Sequence, residues 1–177
     1  MPTLRTLNDW PRELFELEVL QCCSSKRWAS KLSAARPFAT EAALFASASS
    51  IWNRLDASDW KEAFSGHPKI GDLENLKKKF SSTSNWTTQE QSGVHGASEE
   101  VIQGLAAGNE LYEKKFGFIF LVCATGKSAS EMLEILNRRI LNTPEEELKI
   151  AVQEQAKITD LRLRKLLVQS DPTPKEK

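Results

Sequence analysis

Apolar residues recur at intervals of three and four positions along most of this 177-residue chain, which is the spacing of one face of an α-helix. The clearest segments are residues 44–55, 101–112, 132–140 and 148–166. The apolar pattern predicts no credible β-sheet in any segment. We therefore predict an all-α fold of about seven to eight helices joined by short loops, over residues 1–170. The polar, proline-containing residues 171–177 are typical of a disordered tail.

Helix start signals precede several of these segments. Thr143-Pro144-Glu145-Glu146 is the most complete, because it combines an N-cap, a proline at the first helical position and a glutamate three residues after the cap. Three further N-caps are predicted at Thr40, Ser58 and Ser128. A first helix is predicted to be capped by Asn8 or Asp9, with an apolar face of Leu14, Leu17, Val19 and Leu20. A second is predicted at roughly 26–35.

The most apolar run covers residues 116–124 and is bounded by Gly117 and Gly126. It is too short for a long buried helix. A lone buried extended segment and a short core helix both fit, since periodicity cannot separate them. Cys123, inside this run, is predicted to be an inert core residue.

Charge and cysteine content exclude several classes of protein. Lys plus Arg equals Asp plus Glu, so there is no basic surplus for nucleic acid. No run approaches the roughly 20 apolar residues of a membrane span, and residues 1–20 contain no secretory signal. Three cysteines without zinc spacing indicate a reducing compartment, and the missing peroxisomal tripeptide favours the cytoplasm. Lys77-Lys78-Lys79 fits a solvated helix face.

The helical pattern breaks at Gly66-His67-Pro68-Lys69-Ile70-Gly71-Asp72, which contains one of only two histidines. Pro68 fixes its own φ and keeps His67 out of the α region, so this turn suits the fixing of one imidazole. On this heptapeptide alone, an ordinary helix connection with an incidental histidine is the favoured interpretation. Other polar groups that could converge on a pocket are Glu90, Gln91, His95, Arg162 and Arg164. Thr87 and Glu90 also read as a capping box, and no metal or nucleotide motif occurs.

Four ordered pieces resemble one family, 2-oxo-4-hydroxy-4-carboxy-5-ureidoimidazoline (OHCU) decarboxylase of urate breakdown. The pieces are residues 64–71 (FSGHPKIG), 90–92 (EQS), 112–124 (YEKKFGFIFLVCA) and 154–163 (EQAKITDLRL). Arg36-Pro37-Phe38 matches a weaker feature. The resemblance covers about residues 10–168, and we expect this chain to be the stand-alone form of the enzyme. One departure is Val94-His95-Gly96, where small residues are commoner.

The resemblance implies roles for particular residues. His67 corresponds to the catalytic acid/base. Arg162 corresponds to a substrate anchor, with Arg164 as the alternative to be tested. The remaining substrate-binding positions that the resemblance implies are Pro68, Thr87, Thr88, Gln89, Glu90, Gln91, Phe120, Leu121, Val122, Cys123 and Ala124. The family uses neither a metal nor an organic cofactor.

The implied reaction is decarboxylation of OHCU to (S)-allantoin, a step of purine degradation. The implied partners are a small ureide substrate, a second copy of the chain in a homodimer, and urate oxidase and hydroxyisourate hydrolase as pathway neighbours. Two other functions stay open at this point. One is a non-catalytic helical module that binds a small anionic ureide or a protein. The other is a hydrolase of a related ureide, in which His67 activates water.

Overall fold

The computed structural model describes residues 3–68 and 99–168. These residues form eight α-helices and no strand, which confirms the predicted all-α class. In chain order the helices are α1 (Leu4–Asp9), α2 (Arg12–Cys22), α3 (Lys26–Ala34), α4 (Glu41–Trp52), α5 (Ala57–Ser65), α6 (Glu99–Phe116), α7 (Ala129–Arg139) and α8 (Pro144–Val168). The predicted cap at Thr87, the Lys77–Lys79 run and the tail at 171–177 lie outside the described residues.

The chain divides into two units of dense internal contact. The first unit combines Met1–Ala63 with Ala156–Lys177, and the second is Phe64–Gln155. The single domain expected over residues 1–170 stays a prediction.

The first unit is built on α2, α3 and α4, which pack in sequence order. Trp28 is completely buried, and its indole N–H donates to the backbone oxygen of Ala48 at 3.1 Å. Trp60 is half-buried, and its indole donates to the backbone oxygen of Trp52 at 3.1 Å. These bonds matter because a buried indole N–H without a partner would offset much of the gain from burying the ring.

The predicted start of the first long helix was wrong. The chain forms a separate short helix, α1, and α2 begins after Pro11 without a side-chain cap. Asn8 is used differently, because its side chain exchanges two hydrogen bonds of 2.9 Å with the backbone of Phe38. A long-range backbone partner outcompetes the local cap that the sequence favoured.

The predicted apolar face of this helix was right at Val19 but wrong at Leu14 and Leu17. Leu14 and Leu17 are 38% and 58% exposed, whereas Phe15 and Val19 are completely buried. Phe15, Val19 and Cys22 follow the i, i+4, i+7 spacing of one face, and all three are buried. The leucines lie on the neighbouring face and leave the core to this narrower stripe.

The second unit packs α6 against α7. Gly108 permits the close approach, because a β-carbon there would lie 2.6 Å from Leu136 Cδ2. The predicted caps of α7 and α8 are confirmed. Ser128 and Glu131 form a reciprocal capping box, and Thr143 and Glu146 form another. Both helices therefore start where local sequence chemistry sets them.

The apolar run continues from the end of α6 as an irregular segment. Residues 118–124 form neither helix nor strand, so the short-helix alternative was wrong. All of them except Ile119 are buried. Gly117 and Gly126 bound the segment with φ of 75° and 77°, a conformation that other residues rarely adopt. An irregular buried segment needs partners for its backbone polar groups, and side chains of the second unit provide several of them.

Candidate active site

His67 lies in the turn that follows α5, as predicted. Its backbone N–H donates to the backbone oxygen of Phe64 at 3.1 Å, which closes the turn. Phe64 is completely buried and packs its ring on Phe118, with centroids 5.2 Å apart. The turn is therefore anchored by an aromatic pair, while His67 and Pro68 stay half-buried at its surface.

The imidazole of His67 is bonded to an amide of helix α8. His67 Nε2 lies 2.8 Å from Gln155 Oε1, and Gln155 is completely buried. An amide oxygen can only accept a hydrogen bond, so this contact places a hydrogen on Nε2. In the neutral ring, Nδ1 is then the basic nitrogen.

Three side chains hold the backbone of the segment that contains Leu121 and Cys123. Arg139 Nη1 donates to the Leu121 oxygen at 2.6 Å. Glu154 Oε2 accepts from the Cys123 N–H at 2.7 Å. Lys127 Nζ donates to the Cys123 oxygen at 2.8 Å. Bonds that involve charged groups are stronger than neutral ones, so the irregular segment is firmly positioned.

Arg139 belongs to a buried polar cluster with Glu147, Tyr112 and Asn142. Its Nε and Nη2 donate to Glu147 Oε1 at 2.8 and 2.6 Å. Asn142 donates to Glu147 Oε2 at 2.8 Å, and the Tyr112 hydroxyl donates to Glu147 Oε1. Burial, together with this bond to Glu147, raises the pKa of Tyr112 far above its ordinary range. The phenol therefore remains a neutral donor, and both carboxylate oxygens are satisfied.

Arg162 and Arg164 have different surroundings in the first unit. Arg162 is 5% exposed, and its Nη1 donates to the backbone oxygen of Gln21 at 3.4 Å. Arg164 is exposed, pairs with Asp160 at 2.7 Å and lies over the ring of Phe45. Helical geometry thus directs the first guanidinium inward and the second to the surface.

The cysteines are buried and form no disulfide. Burial raises the pKa of Cys23 to about 12, against smaller opposing effects of Ser25 and Thr159. A thiol in this state is not a nucleophile at neutral pH. A cavity of about 120 Å³ between α4 and residues 156–163 of α8 contains none of the predicted site residues.

The predicted site residues are therefore distributed as follows. The second unit holds His67, Pro68, Phe120, Leu121, Val122, Cys123 and Ala124. The first unit holds Arg162. Thr87, Thr88, Gln89, Glu90 and Gln91 lie outside the described residues. Among residues 3–68 and 99–168, no group of histidine, cysteine and acidic side chains could hold a metal ion. In the same ranges no helix is long and apolar enough to cross a membrane.

Sequence reasoning missed Arg139, Glu147, Glu154 and Gln155 as residues that support the site. A signal was present, since Glu147, Ala151 and Gln155 follow one another at four-residue spacing and all are completely buried. The polar members of this row interrupt the apolar pattern on the inner face of α8. A buried polar side chain at a core position needs a hydrogen-bond partner, and these residues find theirs in neighbouring segments.

Over the part of the chain that the structure describes, these features define the class of protein: an all-α chain with a candidate acid–base site at His67. The profile of the OHCU decarboxylase family matches residues 8–164. The chain therefore belongs to the OHCU decarboxylase family, and the resemblance noted in the sequence is confirmed.

Individual relatives agree with this assignment. The chain is 39% identical over 155 residues to the uric acid degradation bifunctional protein TTL of Arabidopsis thaliana, covering 87% of this chain. It spans about half of that relative, 48% of its length. It is 28% identical over 132 residues to 2-oxo-4-hydroxy-4-carboxy-5-ureidoimidazoline decarboxylase of Amia calva, covering 75% of each chain.

A solved structure matches as well. It is a crystal structure of OHCU decarboxylase in the presence of (S)-allantoin, with a TM-score of 0.72 and 39% identity. The match covers 85% of this chain and 97% of the other. The predicted helical fold is thus the fold of a solved family member.

Proposed function

We propose that this chain is a carboxy-lyase that converts OHCU to (S)-allantoin during urate degradation. The observation that carries the proposal is the family match over residues 8–164. The names of the relatives and the (S)-allantoin in the crystal structure of a family member support the same reaction. The contact between His67 and Gln155 supports a fixed imidazole in this chain.

The chemistry requires little of the protein beyond positioning and one proton. OHCU carries a carboxylate and a hydroxyl on one ring carbon, next to a ring carbon doubly bonded to nitrogen. When CO₂ leaves, the adjacent C=N accepts the electron pair of the broken C–C bond. The substrate supplies its own electron sink, so we propose that the reaction needs no cofactor. The protein orients the scissile bond, excludes water and directs a proton to one face of the ring.

We assign the acid–base role to His67. An imidazole changes charge near neutral pH, which suits a group that bonds the substrate hydroxyl and then assists proton delivery. Delivery to one face yields a single enantiomer of allantoin. His67→Ala should reduce CO₂ release to the unaided rate while the fold survives.

We assign the anchoring of substrate to Arg162, whose fork of N–H donors matches a carboxylate or a pair of carbonyl oxygens. Glu90 and Gln91 are proposed to hold the ureido or hydroxyl end, with Pro68, Thr87, Thr88 and Gln89 contributing to the same pocket. For Arg162, its burial and its contact with Gln21 support a side chain held in place rather than one free in solvent.

The segment of Phe120, Leu121, Val122, Cys123 and Ala124 is proposed to line the pocket mainly with apolar surface. Several of its backbone groups already bond side chains of the protein: the Leu121 oxygen bonds Arg139, the Cys123 N–H bonds Glu154 and the Cys123 oxygen bonds Lys127. A wall of this kind excludes water from the reacting carbon.

The assembly and the pathway neighbours are proposed on the resemblance, and the compartment is proposed on the cysteine content. We propose a homodimer in the cytoplasm, acting after urate oxidase and hydroxyisourate hydrolase. Sedimentation of the purified chain would test the first of these proposals.

The decisive experiment supplies freshly made OHCU, generated from urate by the two upstream enzymes, and follows allantoin by circular dichroism. OHCU decays unaided to racemic allantoin. Faster decay that yields the (S) enantiomer, abolished in His67→Ala, would establish the decarboxylase. Racemic decay at the unaided rate would exclude it and favour a binding module, and ring-opened products or urea would indicate a hydrolase.

A further inference from the structure

We propose that Gln155 is the positioning residue for His67, holding the imidazole in one orientation and in the tautomer that carries its hydrogen on Nε2. The catalytic meaning of this inference rests on the proposed function. The contact itself is a property of the structure and can be tested separately.

The position of Gln155 suits this task. It lies in the interior of α8, a helix of 25 residues, and is completely buried. A buried side chain on a long helix has few rotamers available, so its amide offers a fixed point against which a turn can be held. His67 is half-buried in the turn after α5, where Pro68 already limits the backbone. The 2.8 Å bond between Gln155 Oε1 and His67 Nε2 adds the constraint on the ring.

The same turn of α8 also holds the apolar segment. Glu154, the residue before Gln155, accepts the N–H of Cys123 at 2.7 Å. Two consecutive side chains therefore hold the histidine turn and the segment proposed to line the pocket. A displacement of this helical turn would move both together, which is the behaviour expected of a supporting layer beneath a catalytic group.

A glutamine differs from a carboxylate at this position in a way that matters for the chemistry. A carboxylate next to an imidazole stabilises the imidazolium and raises its pKa. A neutral amide oxygen sets the orientation and the tautomer without adding a charge.

The test combines nitrogen NMR of the imidazoles with kinetics. The chain has only two histidines, so the ring signals are few and His67→Gln assigns them. Three variants are compared with the wild type: Gln155→Leu removes the acceptor, Gln155→Glu keeps an acceptor and adds a charge, and Gln153→Leu makes the same change at an exposed position two residues away. Thermal unfolding of each variant confirms that it folds.

The proposal predicts a specific pattern. Wild type, Gln153→Leu and Gln155→Glu should show His67 with hydrogen on Nε2, whereas Gln155→Leu should show a mixture of tautomers. The kcat of Gln155→Leu should fall about tenfold or more, with a smaller change in KM. This loss is part of the rate enhancement of about 10²–10⁴ that a positioned acid–base group contributes. In Gln155→Glu, the limb of the pH–rate profile that reports His67 should move to higher pH by about one unit.

Several results would overturn the inference. They are a wild-type His67 with hydrogen on Nδ1, a Gln155→Leu protein with the wild-type tautomer, and a Gln155→Leu protein with wild-type kcat and pH profile. These failures are distinct from failure of the proposed function. If His67→Ala keeps full activity, the acid–base assignment is lost, while the NMR comparison still decides whether Gln155 fixes the ring. If His67→Ala is inactive and Gln155→Leu is normal, only the role of Gln155 is lost.

Discussion

Arg139 and Glu147 form a buried ion pair, with Arg139 Nη2 2.6 Å from Glu147 Oε1 and side chains only 6% and 0% exposed. The pair joins the end of α7 to the first turns of α8. Arg139 also bonds the Leu121 oxygen, so the pair extends to the apolar segment. Removing one member would leave the other as an uncompensated buried charge.

We therefore expect Arg139→Met to destabilise the protein by about 3–5 kcal/mol, the range for a broken buried pair. The cause is Glu147 left without its cation and the Leu121 oxygen without its donor. Urea unfolding measures the change. Arg138→Met removes the same charge at an exposed position next to it and should have little effect. Equal stabilities of the two variants would contradict the importance of the pair.

From the packing of α6 on α7 we expect different effects on stability when two glycines one turn apart are replaced by alanine. A β-carbon at Gly108 would lie 2.6 Å from Cδ2 of the completely buried Leu136. A β-carbon at Gly104 would lie 3.0 Å from Cδ2 of Leu133, which is only half-buried and can shift. Both changes gain about 1 kcal/mol of helix propensity.

We expect Gly108→Ala to be destabilising by about 1–2 kcal/mol, because overpacking outweighs the gain in propensity. Gly104→Ala should be neutral or slightly stabilising. Thermal and denaturant unfolding of the two variants make the comparison. If Gly108→Ala were the more stable protein, the close packing of Gly108 on Leu136 would be excluded.

Sequence reasoning succeeded at two local caps and failed at a third, because the cap of α5 is Asp56 and not the predicted Ser58. The caps at Ser128 and Thr143 are formed by side chains three residues apart, and both were predicted correctly. Asn8 was assigned wrongly because its true partner, Phe38, lies 30 residues away. Local sequence propensity gives no information about a hydrogen-bond partner so distant along the chain.

The candidate site shows the same limit. The histidine turn was visible, since Pro68 and the flanking glycines mark it. Its partner Gln155 lies 88 residues further on, and only the fold brings the two together. The family was identified from four ordered motifs without knowledge of any of these contacts. This was possible because the motifs are characteristic of the fold as a whole and not of single interactions.

The capping boxes predict part of the acid sensitivity of the protein. Hydrogen bonds from the backbone and side chain of Thr143 lower the pKa of Glu146 below its ordinary value of 4.5, and Ser128 does the same for Glu131. A carboxyl group with a lowered folded pKa adds stability above its unfolded pKa. That contribution disappears as the pH falls through the unfolded and then the folded value.

We expect Glu146→Gln to change stability little at pH 7, because glutamine also serves in a capping box. Between pH 5 and the acid transition its melting temperature should fall less steeply than that of the wild type. Glu145→Gln removes a charge from the same first turn outside the box and should keep the wild-type slope. Parallel slopes for all three proteins would refute the contribution of the Thr143–Glu146 bond.

The two arginines near the end of α8 offer a test of the proposed substrate anchor. Arg162 is buried and bonded to Gln21, whereas Arg164 is exposed and pairs with Asp160 one turn away on its own helix. Arg162→Met should reduce kcat/KM for OHCU by about a hundredfold or more, since a charge-assisted bond to substrate is worth about 1.5–3 kcal/mol and orientation is lost with it. Arg162→Lys should recover only part of this, because an ammonium group lacks the planar fork. Arg164→Met should keep wild-type kinetics.

Circular dichroism and thermal unfolding show whether a loss in Arg162→Met comes from misfolding. A folded Arg162→Met protein with normal kinetics, paired with an inactive Arg164→Met protein, would transfer the anchoring role to Arg164.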